Sequence, residues 1–121
     1  MPHVLVVDDD PSYLTILERL CVGCGATVIT AQTADAARAA LANHEFDLLL
    51  LDLQLDLQEG PELIAEVEQN PDLAPKAVIV TGFSMLAPFF TQLPIVNKGS
   101  LTELAEHLRR TLCVPPGSSG G

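Results

Sequence analysis

Asp8, Asp9 and Asp10 stand together near the start of the chain, and Asp52, Thr81 and Lys98 each follow an apolar run further on. Carboxylates that share a site raise one another's pKa unless a cation neutralises them. A hard, oxygen-seeking Mg²⁺ suits such a set, held by a few carboxylates while keeping several waters. A lysine offers a mobile point charge to a phosphate oxygen, and a threonine hydroxyl offers a hydrogen bond. A carboxylate beside Mg²⁺, with both in reach, is equipped to attack a phosphoryl group and hold it as an acyl phosphate. Taken singly, each residue reads equally well as a solvated side chain at a strand end. The joint pattern carries the chemical reading.

That pattern requires elements that bring distant residues to one edge. Apolar runs alternate with segments of helical period, as in a parallel α/β sheet. His3 to Val7 reads as a strand that ends in the aspartates, and Pro11 opens a helix that an aspartate before it can cap. Ala26 to Ala31 is a second strand, followed by a helix from Ala34 to about Asn43 with Thr33 as its N-cap. Phe46 to Asp52 is an almost unbroken apolar strand, as expected for one buried on both faces. A helix from about Pro61 to Gln69 ends at Asn70-Pro71, Ala77 to Thr81 and Pro94 to Asn97 are the last two strands, and a final helix runs from Leu101 to Leu112. The interval from Thr81 to Lys98 is too short for a loop, an average helix, a second loop and a strand, and it contains Pro88 and Pro94. The fourth of the five helices is therefore expected to be short, irregular or missing.

In an open parallel sheet, ligands bind beyond the carboxyl ends of the strands. Asp8 to Asp10, Asp52, Thr81 and Lys98 fall at four of those ends. The chain has 121 residues, close to the commonest domain size, and 48% are hydrophobic, enough for a sizeable core. Its formal charge of -10 repels phosphate backbones, so direct binding of DNA or RNA is not expected. No apolar run is long enough to cross a bilayer and the N-terminus lacks a signal-peptide pattern, so a cytoplasmic location is expected. Three cysteines make no disulfide framework.

The segments Val4-Leu-Val-Val-Asp-Asp-Asp-Pro11, Leu48-Leu-Leu-Leu-Asp52, Val78-Ile-Val-Thr81-Gly82 and Val96-Asn-Lys98, with Gly60 eight residues after Asp52, resemble the receiver domain of two-component response regulators. The resemblance spans roughly Met1 to Leu112. It implies a flavodoxin-like, doubly wound sheet of five parallel strands in the order 2-1-3-4-5, with helices on both faces. By it, Asp52 is the phosphoacceptor, Thr81 and Lys98 contact the phosphoryl group, and Asp8, Asp9, Asp52 and the backbone carbonyl of Gln54 hold Mg²⁺. The phosphoryl group would come from a histidine kinase or histidine phosphotransfer protein, and signalling would run through altered protein–protein interaction. Residues 1–113 would be the receiver domain and residues 114–121, rich in Pro, Gly and Ser, a tail or linker.

Three positions depart from the family pattern: Gly99 follows the lysine where proline is usual, Asp56 replaces a common loop proline, and Ile95 stands in place of the switch aromatic. Val80-Thr-Gly-Phe83 and the short interval are similar to the FAT GUY receiver subclass, with its reduced fourth helix. Signalling is accordingly expected through ordering of that interval, with Met85, Leu86, Phe89 and Phe90 as its apolar surface. Two other readings compete. One is a pseudo-receiver that binds partners without phosphorylation. The other is an aspartyl phosphohydrolase, which the Leu53-Gln54 sequence after Asp52 and the lack of a cap region disfavour. Cys21-Val-Gly-Cys24 has redox or zinc spacing without a second pair, and His3, His44 and His107 are scattered. Glu62, Glu66, Glu103 and Glu106 read as solvated helix faces.

Overall fold

The computed structural model describes residues 2–52, 59–82 and 91–112. Five strands, β1 (His3–Val7), β2 (Thr27–Ala31), β3 (Leu48–Leu51), β4 (Ala77–Thr81) and β5 (Ile95–Asn97), form one parallel sheet in the order β2-β1-β3-β4-β5. Four α-helices are described: α1 (Pro11–Gly23), α2 (Ala34–Asn43), α3 (Glu59–Gln69) and α4 (Leu101–Leu112). A single 3₁₀ turn, Ala74–Lys76, which the sequence pattern did not announce, leads into β4. The expected elements occur with shifted ends: β2, β3 and β5 are shorter than their apolar runs, and α3 starts two residues ahead of Pro61. The interval of the expected fourth helix, residues 83–90, lies outside the described residues, as do Gln54 and Asp56; residues 91–94 are not helical.

Alternation along the strands sorts the core into two layers. Leu5, Val7, Leu49, Leu51 and Ile79 face α2 and α3, while Val4, Val6, Leu48, Leu50, Val80 and Val96 face α1 and α4. Because β1, β3 and β4 are covered on both faces, they read as continuous apolar runs rather than alternating ones. Leu14, Leu17 and Cys21 form the buried stripe of α1, and Leu104 and Leu108 that of α4. Each fully buried leucine contributes about 1.5–3 kcal/mol relative to leaving it exposed.

The helix starts are made by the anticipated side chains. Asp10 caps α1 by accepting from Ser12 N at 2.9 Å, with Pro11 at the first helical position. Thr33 caps α2 by accepting from Ala36 N at 3.1 Å. Gly25, at φ +84°, takes the left-handed conformation that turns the chain from α1 toward β2.

Candidate functional site

The register of the sheet places the polar residues at one edge. Val7 is paired with Leu51, so Asp8 and Asp52 leave adjacent strands side by side, and Asp52 N donates to Val7 O at 3.0 Å. Thr81 ends β4 opposite Asn97, and Lys98 N donates to Thr81 O at 2.9 Å. Period-two alternation continues past the strands: Asp8 follows Val4 and Val6, Asp52 follows Leu48 and Leu50, and Lys98 follows Val96, all on the α1–α4 side. Thr81 falls in the other register, with Ala77 and Ile79.

The outcome is a buried ionic cluster. Asp8 is 0% exposed, Asp52 3% and Thr81 0%. The Lys98 ammonium bridges the two carboxylates, 2.7 Å from Asp8 Oδ2 and 3.2 Å from Asp52 Oδ2. Burial alone would lower the lysine pKa, but hydrogen bonding and attraction from Asp8 and Asp52 more than offset it and hold the ammonium above its ordinary value. Asp8 Oδ1 accepts from Asp10 N at 2.9 Å. Asp9 is exposed at the rim. Asp10, the third of the triplet, is used as the cap of α1 instead.

Among the described residues, Asp8, Asp9 and Asp52 form a group of potential metal ligands with oxygens within 4.8 Å of one another. Six-coordinate Mg²⁺ with bonds of ~2.1 Å sets its ligand oxygens roughly 3–4 Å apart, so this all-oxygen set needs little contraction. Asp8 Oδ2 is buried and already holds a cationic partner, the Lys98 ammonium at 2.7 Å, as suits an oxygen placed to hold a metal ion. The two buried carboxylates, Asp8 and Asp52, also outnumber the single ammonium, and a buried excess of negative charge is costly unless neutralised. The residues present fit the ion. Gln54, whose carbonyl was expected to join them, lies outside the described residues.

Two contacts had no advance signal. The Tyr13 hydroxyl donates to the Lys98 carbonyl oxygen at 2.8 Å, and the Lys98 Nζ lies 4.6 Å from the centroid of the Tyr13 ring. Tyr13 belongs to no motif in the sequence; its place in the first turn of α1, beside the aspartate triplet, was the available clue. Burial raises its pKa, Lys98 opposes this, and Asp8 and Asp52 add to the rise, so the phenol stays protonated as a donor. Away from the edge, Glu68 of α3 accepts from the Thr91 hydroxyl and from Gln92 N, pinning the segment that enters β5.

The other candidates stand apart. Cys21 is fully buried in the stripe of α1, and burial, with Cys24 nearby, pushes its thiol up to about 12, the opposite of an activated thiolate. Glu66 is not a purely solvated residue: Arg38 of α2 grips it with two nitrogens and holds it below the usual carboxylate range. Ile95 packs against the α2–α3 core layer. The Lys98–Gly99 peptide is trans, there being no cis bond among the described residues.

A doubly wound parallel sheet with an acidic cluster, a threonine and a lysine at its carboxyl edge places the chain among the flavodoxin-like α/β domains, which bind their ligands at that edge. Comparison with known proteins narrows the class. The profile of the response regulator receiver domain matches residues 4–93, and the chain belongs to this family of two-component response regulators. It is 36% identical over 83 residues to the DNA-binding transcriptional regulator NtrC of Salmonella typhimurium, covering 69% of this chain and 18% of that protein. It is 34% identical over 106 residues to the transcriptional regulatory protein ZraR of the same organism, covering 87% of this chain and 23% of that one. The chain thus spans under a quarter of the length of these two relatives. Among solved structures, a CheY-like receiver domain protein from Methanospirillum hungatei superposes with TM-score 0.67 at 25% identity, over 92% of this chain and 96% of that chain. The fold is shared as well with response regulator TrrA of Thermotoga maritima, solved with Mg(2+)-BeF: TM-score 0.75 at 23% identity, over 93% of this chain and 100% of that chain.

Proposed function

We propose that this domain accepts a phosphoryl group on Asp52 and passes on a signal through a changed protein-binding surface. The observation that carries the reading is the buried bridge from Lys98 to both Asp8 and Asp52, at 2.7 and 3.2 Å. In the transfer, an Asp52 carboxylate oxygen forms a bond to phosphorus as the P–N bond of a phosphohistidine breaks. The electron pair of that bond leaves on the imidazole nitrogen. Lys98 turns from the carboxylates to a phosphoryl oxygen, and the Thr81 hydroxyl donates to another. Asp8, Asp9 and Asp52, with the Gln54 carbonyl, would hold Mg²⁺, which when bound screens the negative charge that otherwise repels the donor.

The donor on this reading is a histidine kinase or histidine phosphotransfer protein in the cytoplasm, and the domain catalyses only its own phosphorylation and dephosphorylation. Its acidity fits contact with proteins rather than with nucleic acid. A phosphorylation-independent interaction module is the second reading, favoured by the trans Lys98–Gly99 peptide and by Ile95 in place of the family's aromatic. Intact-mass measurement after incubation with Mg²⁺ and acetyl phosphate separates the two. A phosphoryl adduct on the wild type supports the first; an unmodified mass supports the second.

A further inference from the structure

We propose that Tyr13 is a positioning residue for phosphoryl transfer, clamping Lys98 at its backbone through the hydroxyl and at its ammonium through the ring. This deepens the reading of Asp52 as phosphoacceptor and rests on it. Lys98 sits at the end of a three-residue strand, where it leaves the sheet and enters the turn before α4. Asn97 builds that turn: its side-chain oxygen accepts from Gly99 N at 2.7 Å and its carbonyl from Ser100 N at 2.9 Å. A Cβ on residue 99 would meet Asn97 Oδ1 at 3.0 Å, so the turn favours glycine. Glycine leaves the backbone after the lysine unrestrained by its own chemistry, unlike a residue with fixed φ. Restraint must come from elsewhere.

Tyr13 supplies it. The hydroxyl fixes the Lys98 carbonyl at 2.8 Å, and the ring face attracts the ammonium from 4.6 Å. A lysine stem is long and flexible, and two attachments by one rigid side chain reduce the arrangements open to it. Tyr13 is also tied to the metal-ligand turn. It stands in the first turn of α1, whose cap Asp10 donates its N–H to Asp8 Oδ1 at 2.9 Å. One short stretch, Asp8 to Tyr13, thus sets both the carboxylates and the lysine that must act together.

The test compares Tyr13→Phe, which keeps the ring, with Tyr13→Leu, which keeps only apolar bulk. Initial rates of Asp52 phosphorylation by acetyl phosphate are measured at saturating Mg²⁺, and the Lys98 ammonium resonance is followed by NMR without any donor. The expected result is a kcat lowered roughly fivefold in Tyr13→Phe and more than about tenfold in Tyr13→Leu, with KM for acetyl phosphate unchanged. The ammonium resonance should move strongly in Tyr13→Leu and less in Tyr13→Phe. Wild-type kcat in Tyr13→Leu, or an ammonium resonance that stays in place, overturns the clamp. Tyr13→Phe preserves packing and keeps the test open if the leucine variant does not fold. An unmodified Asp52 in the wild-type protein instead overturns the phosphoacceptor reading, and the ammonium resonance then decides the contact by itself.

Discussion

The Lys98 ammonium lies 2.7 Å from Asp8 Oδ2, an oxygen of a side chain with 1% exposure, and these residues are ninety positions apart in the chain. The pair is buried at the carboxyl edge of the sheet, with Asp52 as a second acceptor at 3.2 Å. Breaking such a pair leaves an uncompensated charge, so its members are more sensitive to substitution than surface ion pairs are. The energetics of the site follow from this imbalance of two buried carboxylates against one ammonium.

Asp52→Asn should abolish the phosphoryl adduct while raising stability in the absence of Mg²⁺ by about 1 kcal/mol. The gain comes from relief of repulsion between Asp8 and Asp52. Intact mass reads the first effect and urea denaturation the second. An adduct of undiminished yield would refute the assignment.

Lys98→Ala should tighten Mg²⁺ binding roughly tenfold, about 1.4 kcal/mol, because a competing positive charge has been removed. The same variant should phosphorylate slowly. Titrating Mg²⁺ while following the amide of Asp9 checks the affinity; weaker binding than wild type would contradict the competition.

Thr91→Val and Glu68→Ala should each cost about 1–2 kcal/mol, since either leaves a polar partner of the clamp between α3 and the segment before β5 unsatisfied. The double variant should cost less than the sum of the two, as residues sharing one contact do. Additive losses in a double-mutant cycle would show that the contact is not energetically coupled.

His107 on α4 has its pKa lowered, first by burial and then by Arg110. The folded state therefore prefers neutral imidazole, and the unfolded state binds the extra proton. That contribution to stability is fully present above the ordinary histidine value and is lost as pH falls through the lower folded value. Urea midpoints at about pH 5.5 and about pH 7.5 should differ less in His107→Gln than in wild type. Equal differences would assign the pH dependence to other groups.

Cys21, buried and pushed up to about 12, should resist iodoacetamide at pH ~8 in the native protein and react once urea unfolds it. Peptide mapping after brief alkylation reads this directly. Labelling of Cys21 at the same rate in both states would contradict its burial.

The five strands and four described helices were legible because each carries a local cause. Strands buried on both faces must be continuously apolar, as Leu48–Leu51 is, and helix starts need a capping side chain, as Asp10 and Thr33 provide. The gathering of Asp8, Asp52, Thr81 and Lys98 at one edge was legible for the same reason: parallel strands all present their carboxyl ends to one side. The helix before β4 and the true start of α3 were not, because single 3₁₀ turns and helix ends depend on contacts more than on pattern. Nor could one-dimensional spacing show that Asp8 is buried against Lys98 while its neighbour Asp9 stays exposed, since the two are alike until the chain leaves the sheet. The sharing of Lys98 between Asp8 and Asp52 and the seating of its ammonium over Tyr13 arise from register and side-chain parity across β1, β3 and β5 with the first turn of α1. Those contacts join residues 46 to 90 positions apart, and only packing sets their distances.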